Sequence, residues 1–101
     1  MAAVTPTKVG TTEFAGDYKI SQWTFTPGSG SDTITFTLAT HGFSEILGIV
    51  SVELTAGYDG ALNTIFATFS GLVVTVVTSA SAGTVATDWT GAAARITLLV
   101  R

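Results

Sequence analysis

The 101-residue chain contains no cysteine, so neither a disulfide framework nor a thiolate metal site is available to it. Charge is scarce: Asp, Glu, Lys and Arg make up 11% of the residues, less than half the usual ~25%. Only Lys8, Lys19, Arg95 and Arg101 are basic, they are scattered, and the net charge is −3, which argues against a nucleic-acid partner. Long hydrophobic runs are missing as well. The strongest, such as Leu72 to Val77, is interrupted by threonine and falls far short of the ~18 residues of a membrane-spanning helix, so no membrane is expected. The opening M-A-A-V-T-P-T-K-V-G has no apolar core of a secretory signal, and the expected site of synthesis and use is inside a cell. No Gly-rich loop ends in Gly-Lys-Ser or Gly-Lys-Thr, so no phosphate cradle is indicated.

Chemistry-bearing residues are thinly spread. The one histidine, His41, precedes Gly42 in a turn, and no G-x-S-x-G or comparable frame supplies it with a nucleophile and an orienting acid. The acids Glu13, Asp17, Asp32, Glu45, Glu53, Asp59 and Asp88 are dispersed, several at turns where a carboxylate caps backbone donors. Asp59-Gly60 lacks the alternating oxygen ligands of a calcium loop. We therefore expect no catalytic, cofactor-binding or metal-binding residues, and no enzyme.

What the chain has instead is apolar and threonine-rich sequence at strand period. Apolar residues make up 47%, and the mean hydropathy is +0.54 without a membrane span to account for it. From Phe43 to Leu54, one face carries Ile46, Gly48, Val50, Val52 and Leu54, the other Leu47, Ile49, Ser51 and Glu53. A strand apolar on both sides needs cover on both sides. Asp32 to Thr40 alternates cleanly, with Ile34, Phe36 and Leu38 predicted inward and Thr33, Thr35 and Thr37 outward. Asp17 to Thr26 reads as its hairpin partner, across the turn Pro27–Ser31, with a bulge near Ser21-Gln22 bringing Tyr18, Ile20, Trp23 and Phe25 to one face. A second hairpin is expected around Asp59-Gly60, returning through Leu62 to Ser70. Leu72 to Thr78 is apolar on both faces, Thr84 to Thr87 reads as a short edge strand, and Asp88–Gly91 as a turn anchored by a buried Trp89. Ala92 to Val100 closes the chain with Ala94, Ile96, Leu98 and Val100 on one face.

No stretch of ten residues carries a capped helical stripe. About seven strands with Gly-rich turns predict an all-β, single-domain antiparallel β-sandwich or barrel, jelly-roll or Ig-like, over residues 14–101. Residues 1–13, with Pro6 and Gly10 and no period, read as an N-terminal arm whose removal to Gly10 leaves the fold intact. Trp23, Phe25, Phe36, Phe66 and Phe69 are assigned to the core, and Tyr58, at a turn tip, to the surface. With so little charge, the folded unit is expected to be covered by other protein, and the expected contact residues are Val4, Pro6, Val9, Leu47, Ile49, Tyr58 and Leu99.

The segments E-F-A-G-D-Y-K-I-S-Q-W-T-F-T and A-T-D-W-T-G, with the closing A-R-I-T-L-L-V-R, give the chain a recognisable texture. It resembles the small β-rich virion structural proteins of tailed bacteriophages, the capsid decoration or cement type in particular. That resemblance implies a homotrimer on the outside of the shell, clamping major capsid subunits, in a virion assembled in the host cytoplasm. Tail-tube, tail-terminator and head–tail connector subunits share the same composition. A carbohydrate- or receptor-binding module is the other alternative, and would require an exposed Tyr58 or Trp89.

Overall fold

The computed structural model describes residues 2–15, 18–56, 64–79 and 91–101. Among them lie eight strands and one turn of helix: β1 (Ala2–Ala3), β2 (Thr7–Ala15), β3 (Tyr18–Phe25), β4 (Ser31–Thr35), α1 (Leu38–His41), β5 (Ile46–Ala56), β6 (Thr64–Ser70), β7 (Val73–Ser79) and β8 (Ala93–Val100). They form two four-stranded sheets, in the orders β1-β4-β7-β6 and β2-β3-β8-β5. Every pairing is antiparallel except the short one between β1 and β4. The protein is an all-β sandwich, as the strand periods predict.

The core lies between the sheets. From one sheet come Ile34, Val74 and Val76; from the other come Trp23, Phe25, Ala94, Ile96, Leu98 and Val100. β8 is the central element of its sheet, flanked by β3 and β5, and its even-numbered residues are sealed from solvent. Burying a side chain the size of Ile96, Leu98 or Val100 stabilises the fold by roughly 1.5–3 kcal/mol relative to exposure.

Three features differ from the sequence expectations. First, the hairpin expected between β3 and β4 does not form, because the two belong to different sheets; β5 and β6 also stand in different sheets, and the Asp59-Gly60 turn expected between them lies outside the described residues. β4 instead pairs with β7 and β5 with β8, both distant in sequence, while consecutive strands pair in β2–β3, which closes at Ala15 opposite Tyr18, and in β6–β7, turned by Gly71-Leu72 with Gly71 at φ 60°. Second, β3 has no bulge. It pairs with β8 residue for residue from Lys19 to Phe25, so Ser21, Trp23 and Phe25 point inward and Tyr18 and Ile20 lie on the opposite face. Third, the segment read as an arm is built into both sheets. β1 pairs with β4, Val4 crosses over with its N–H donating to Thr33 O at 2.9 Å, and β2 pairs with β3.

The bulges fall in β5 instead. Its register against β8 shifts between Ile46 and Gly48, between Ile49 and Ser51, and between Leu54 and Ala56. Each shift inserts a residue and resets the side-chain parity. Ile46, Ile49, Val52 and Leu54 therefore meet Val100, Leu98, Ile96 and Ala94 on the inner face, while Val50 is turned out to 59% exposure. The tidy two-faced alternation of 43–54 is broken for that reason.

The strand predicted to run to Thr40 ends at Thr35. Phe36 stays buried, but Thr37 then caps α1, its hydroxyl accepting from the Thr40 N–H at 3.3 Å, and Gly42 closes the turn at φ 86°. The change of period turns Leu38 into solvent. It also sets His41 edge-on to Trp23 and Phe36, at centroid distances of 5.2 and 4.9 Å, with Phe43 beside Phe36.

Asp32 is fully buried on β4 and organises the turn before it. Its carboxylate accepts from the Gly28 N–H at 3.1 Å and from the Ser29 hydroxyl at 2.8 Å, and the same turn holds β7 through Thr78 N–H to Gly30 O. Asp32→Ala strands those donors and is expected to lower stability by about 2–3 kcal/mol. Asp32→Asn, which keeps an acceptor, should lose roughly half as much. Urea denaturation checks both; an alanine variant with an unchanged midpoint would mean that the turn does not depend on this carboxylate.

Candidate interaction surface

The strand order sorts the charges. Lys8, Glu13, Lys19, Glu53 and Arg95 lie on β2, β3, β5 and β8, and Glu45 and Arg101 adjoin the ends of β5 and β8. All therefore belong to the β2-β3-β8-β5 side. The β1-β4-β7-β6 sheet has one charged residue among the described residues, Asp32, and it is buried facing the core.

On the β2-β3-β8-β5 sheet the outward positions carry cross-strand polar pairs beside an apolar group of Val9, Ile20 and Leu99. Arg95 donates from Nε to Glu53 Oε1 at 2.9 Å, and Nη2 reaches the same oxygen. Gln22 donates to the Thr97 hydroxyl at 3.1 Å. At one end, Arg101 lies 3.5 Å from Glu45 and stacks over Tyr18. These ion pairs are exposed and stabilise by less than about 1 kcal/mol each. They put exposed charge on this face, next to the half-buried Val9, Ile20 and Leu99.

The outer face of the other sheet is built differently. Inward Ile34, Val74, Val76 and Thr78 fix the parity, so the outward rows across β4, β7 and β6 are Thr35–Val73–Ser70, Thr33–Thr75–Thr68 and Ser31–Val77–Phe66. Ser79 and Thr64 complete the face. Among the described residues every polar side chain on it is an uncharged hydroxyl. Phe66 is 54% exposed and Val73 37%. Desolvating neutral hydroxyls costs far less than desolvating ions, and an exposed aromatic ring among β-branched residues is the composition of a protein–protein contact.

The expected contact residues do not converge. Val4 and Ile49 pack against the core, and Val9, opposite Gln22, and Leu99, between Ile20 and Gly48, are half-buried on the outer side of the charged sheet. Pro6 and Leu47 are half-buried at the crossover before β2 and at the first bulge of β5. Tyr58, Trp89, the Asp59-Gly60 turn and the strand read at Thr84–Thr87 lie outside the described residues. Phe66 and Phe69, assigned to the core from sequence, are both exposed: Phe66 stands on the outward row beside Val77, and Phe69, opposite the inward Val74, is 39% exposed. The available signal was the absence of any charge from Thr64 to Ser79, a run of 16 residues.

His41 contributes packing rather than a reactive dyad. Its Nδ1 accepts from the Thr37 N–H at 2.9 Å, and its ring faces Trp23 and Phe36. Among the described residues no three His, Asp or Glu side chains converge as a metal-ligand group. The chain matches no family model, no curated protein and no solved structure.

Proposed function

We propose that this protein is a non-enzymatic structural component of a tailed-phage particle, a capsid decoration or cement protein that associates with itself and clamps neighbouring major capsid subunits. The observation that carries the reading is that, among the described residues, the outer face of the β1-β4-β7-β6 sheet has no charge, while the exposed ion pairs stand on the other sheet. Such a molecule offers an uncharged side for contact with protein and keeps its exposed ion pairs on the other. A shell component needs that asymmetry, since one surface faces the medium and the other lies on the shell. Each copy need contribute only a few kcal/mol, because many copies act together and an oligomer leaves only when all of its contacts break.

The test is addition of the purified protein to shells lacking their decoration, with binding followed by sedimentation and shell endurance by heating. Wild type is expected to bind and raise the temperature at which shells open. Thr33→Glu/Thr75→Glu, which places two carboxylates at the centre of the uncharged face, should weaken binding roughly tenfold or more. Thr24→Glu on the charged sheet should bind as wild type does. Equal binding by all three proteins, or none by the wild type, would sink the reading.

A further inference from the structure

α1 is tied at its start by two hydrogen bonds that run in opposite directions. The hydroxyl of Thr37, the N-cap, accepts the Thr40 N–H at 3.3 Å. In return, Nδ1 of His41 accepts the backbone N–H of Thr37 at 2.9 Å. This is the reciprocal arrangement of a capping box, in which a side chain of the first turn reaches back to the N–H of the cap. Glutamate or glutamine usually supplies the returning acceptor. Here it comes from the only histidine in the protein, the residue type that changes charge between about pH 5 and 8.

In a neutral imidazole one nitrogen accepts and the other carries the proton; in the charged ring both donate. Because Nδ1 receives the Thr37 N–H, the neutral ring must hold its own proton on Nε2. A second proton, added at Nδ1, sets donor against donor across 2.9 Å and leaves the Thr37 N–H without its acceptor. The ring has little freedom to turn away, since it stands edge-on to Trp23 and Phe36 with centroids 5.2 and 4.9 Å off.

The charges around the ring do not favour a proton there. From β3, the Lys19 ammonium donates to Gly42 O at 3.4 Å, and from β2, Lys8 lies over the indole of Trp23. β4 contributes Asp32, which is buried and bound to Gly28 and Ser29. Beyond Phe43 stands Glu45, paired with Arg101. α1 itself has no acid, and among the described residues no carboxylate forms an ion pair with His41.

We propose that His41 makes α1 a pH-sensitive latch, closed while the imidazole is neutral and opened by one proton at Nδ1. α1 lies on the connection from β4 to β5, and so between one sheet and the other. Its opening gives up the bonds from His41 N–H to Thr37 O and from Gly42 N–H to Leu38 O, and takes a ring away from Trp23 and Phe36. The closed latch excludes a proton that the unfolded chain accepts. Stability is therefore full above the histidine range and falls as the pH drops through it. The latch stands apart from the shell reading, and its test needs no shell.

The experiment joins nitrogen-15 NMR of the wild-type ring to urea unfolding at pH 8 and pH 5.5. With one histidine in the chain, the ring signals need no assignment. At pH 8 the spectrum is expected to show a bare Nδ1 and a protonated Nε2. The folding equilibrium constant of the wild type should fall roughly tenfold between the two pH values. His41→Gln keeps an acceptor that does not titrate, so its constant should change by less than about threefold, with circular dichroism confirming the fold. A neutral ring with its proton on Nδ1 overturns the latch. So does a wild type whose pH dependence equals that of the glutamine variant, or whose stability rises as the pH falls. The ring spectrum is read on the wild type, so it decides the matter even if the variant does not fold.

Discussion

Replacing Phe36 with alanine is expected to lower the free energy of unfolding by about 3–5 kcal/mol, a large share of the ~5–15 kcal/mol typical of a single domain. Phe36 is 1% exposed and stands in the aromatic group formed by Trp23, His41 and Phe43, with centroid distances of 5.6, 4.9 and 5.1 Å. Its removal deletes the ring in contact with all three others, and a rigid sandwich can only partly close over the space. The informative control is Leu38→Ala. Sequence period places Leu38 inward beside Phe36, which would make the two losses similar. In the structure α1 intervenes and Leu38 is 61% exposed, so its substitution should stay within about 0.5 kcal/mol. Urea melts of the two variants separate these cases, and comparable losses would mean that the strand continues past Thr37.

That pair of residues also marks how far the sequence could be read. The alternation of Ile34 with Phe36 and the row Ala94, Ile96, Leu98, Val100 identified the core correctly, because inward positions of paired strands repeat every second residue wherever the ladder is regular. The reading failed where the ladder is interrupted. A one-turn helix needs only a capping threonine and a following glycine, and T-L-A-T-H-G supplied both too briefly to register as a helical stripe. The bulges of β5 escaped for a similar reason: nothing in I-L-G-I-V-S-V-E-L announces which residue is extra, and the partner β8 decides it. Hairpins were favoured over sheet crossings because sequence proximity is visible and strand order is not.

The candidate site was harder still. Low charge pointed to a covered surface, but which surface depends on which strands share a sheet, and only the topology supplies that. Once β4, β7 and β6 are neighbours, the uncharged run from Thr64 to Ser79 and the outward Ser31, Thr33 and Thr35 of β4 become one face, and the Arg95–Glu53 and Gln22–Thr97 pairs fall on the other. Phe66 changes meaning in the same step. Read alone it is a core ring; on an edge strand, pointing away from the second sheet, it is an exposed one.

Deleting Met1 to Gly10 is expected to destabilise the protein by about 3–4 kcal/mol and to make it prone to aggregate. The bonds lost are specific. Ala2 and Ala3 pair with β4, Val4 donates to Thr33 O and packs against the core, and Thr7, Lys8 and Val9 pair with Thr24, Trp23 and Gln22. Lys8 also lies over the indole of Trp23, 5.3 Å from its centroid, adding a cation–π contact to the cover. Each net hydrogen bond stabilises by about 0.5–1.5 kcal/mol and burial of Val4 adds a comparable amount, while ordering ten residues offsets much of the total. What remains is the harm to the rest of the chain: Trp23 loses its cover, and the flank of β3 at Gln22–Thr24 and the outer flank of β4 become open edges, which invite association. Thermal melting and light scattering of the truncated protein measure both effects, and Val4→Ala, expected to cost about 1–2 kcal/mol, separates core packing from strand pairing. A truncated protein that melts with the wild type and stays dispersed would return residues 1–10 to the role of an arm laid against the surface.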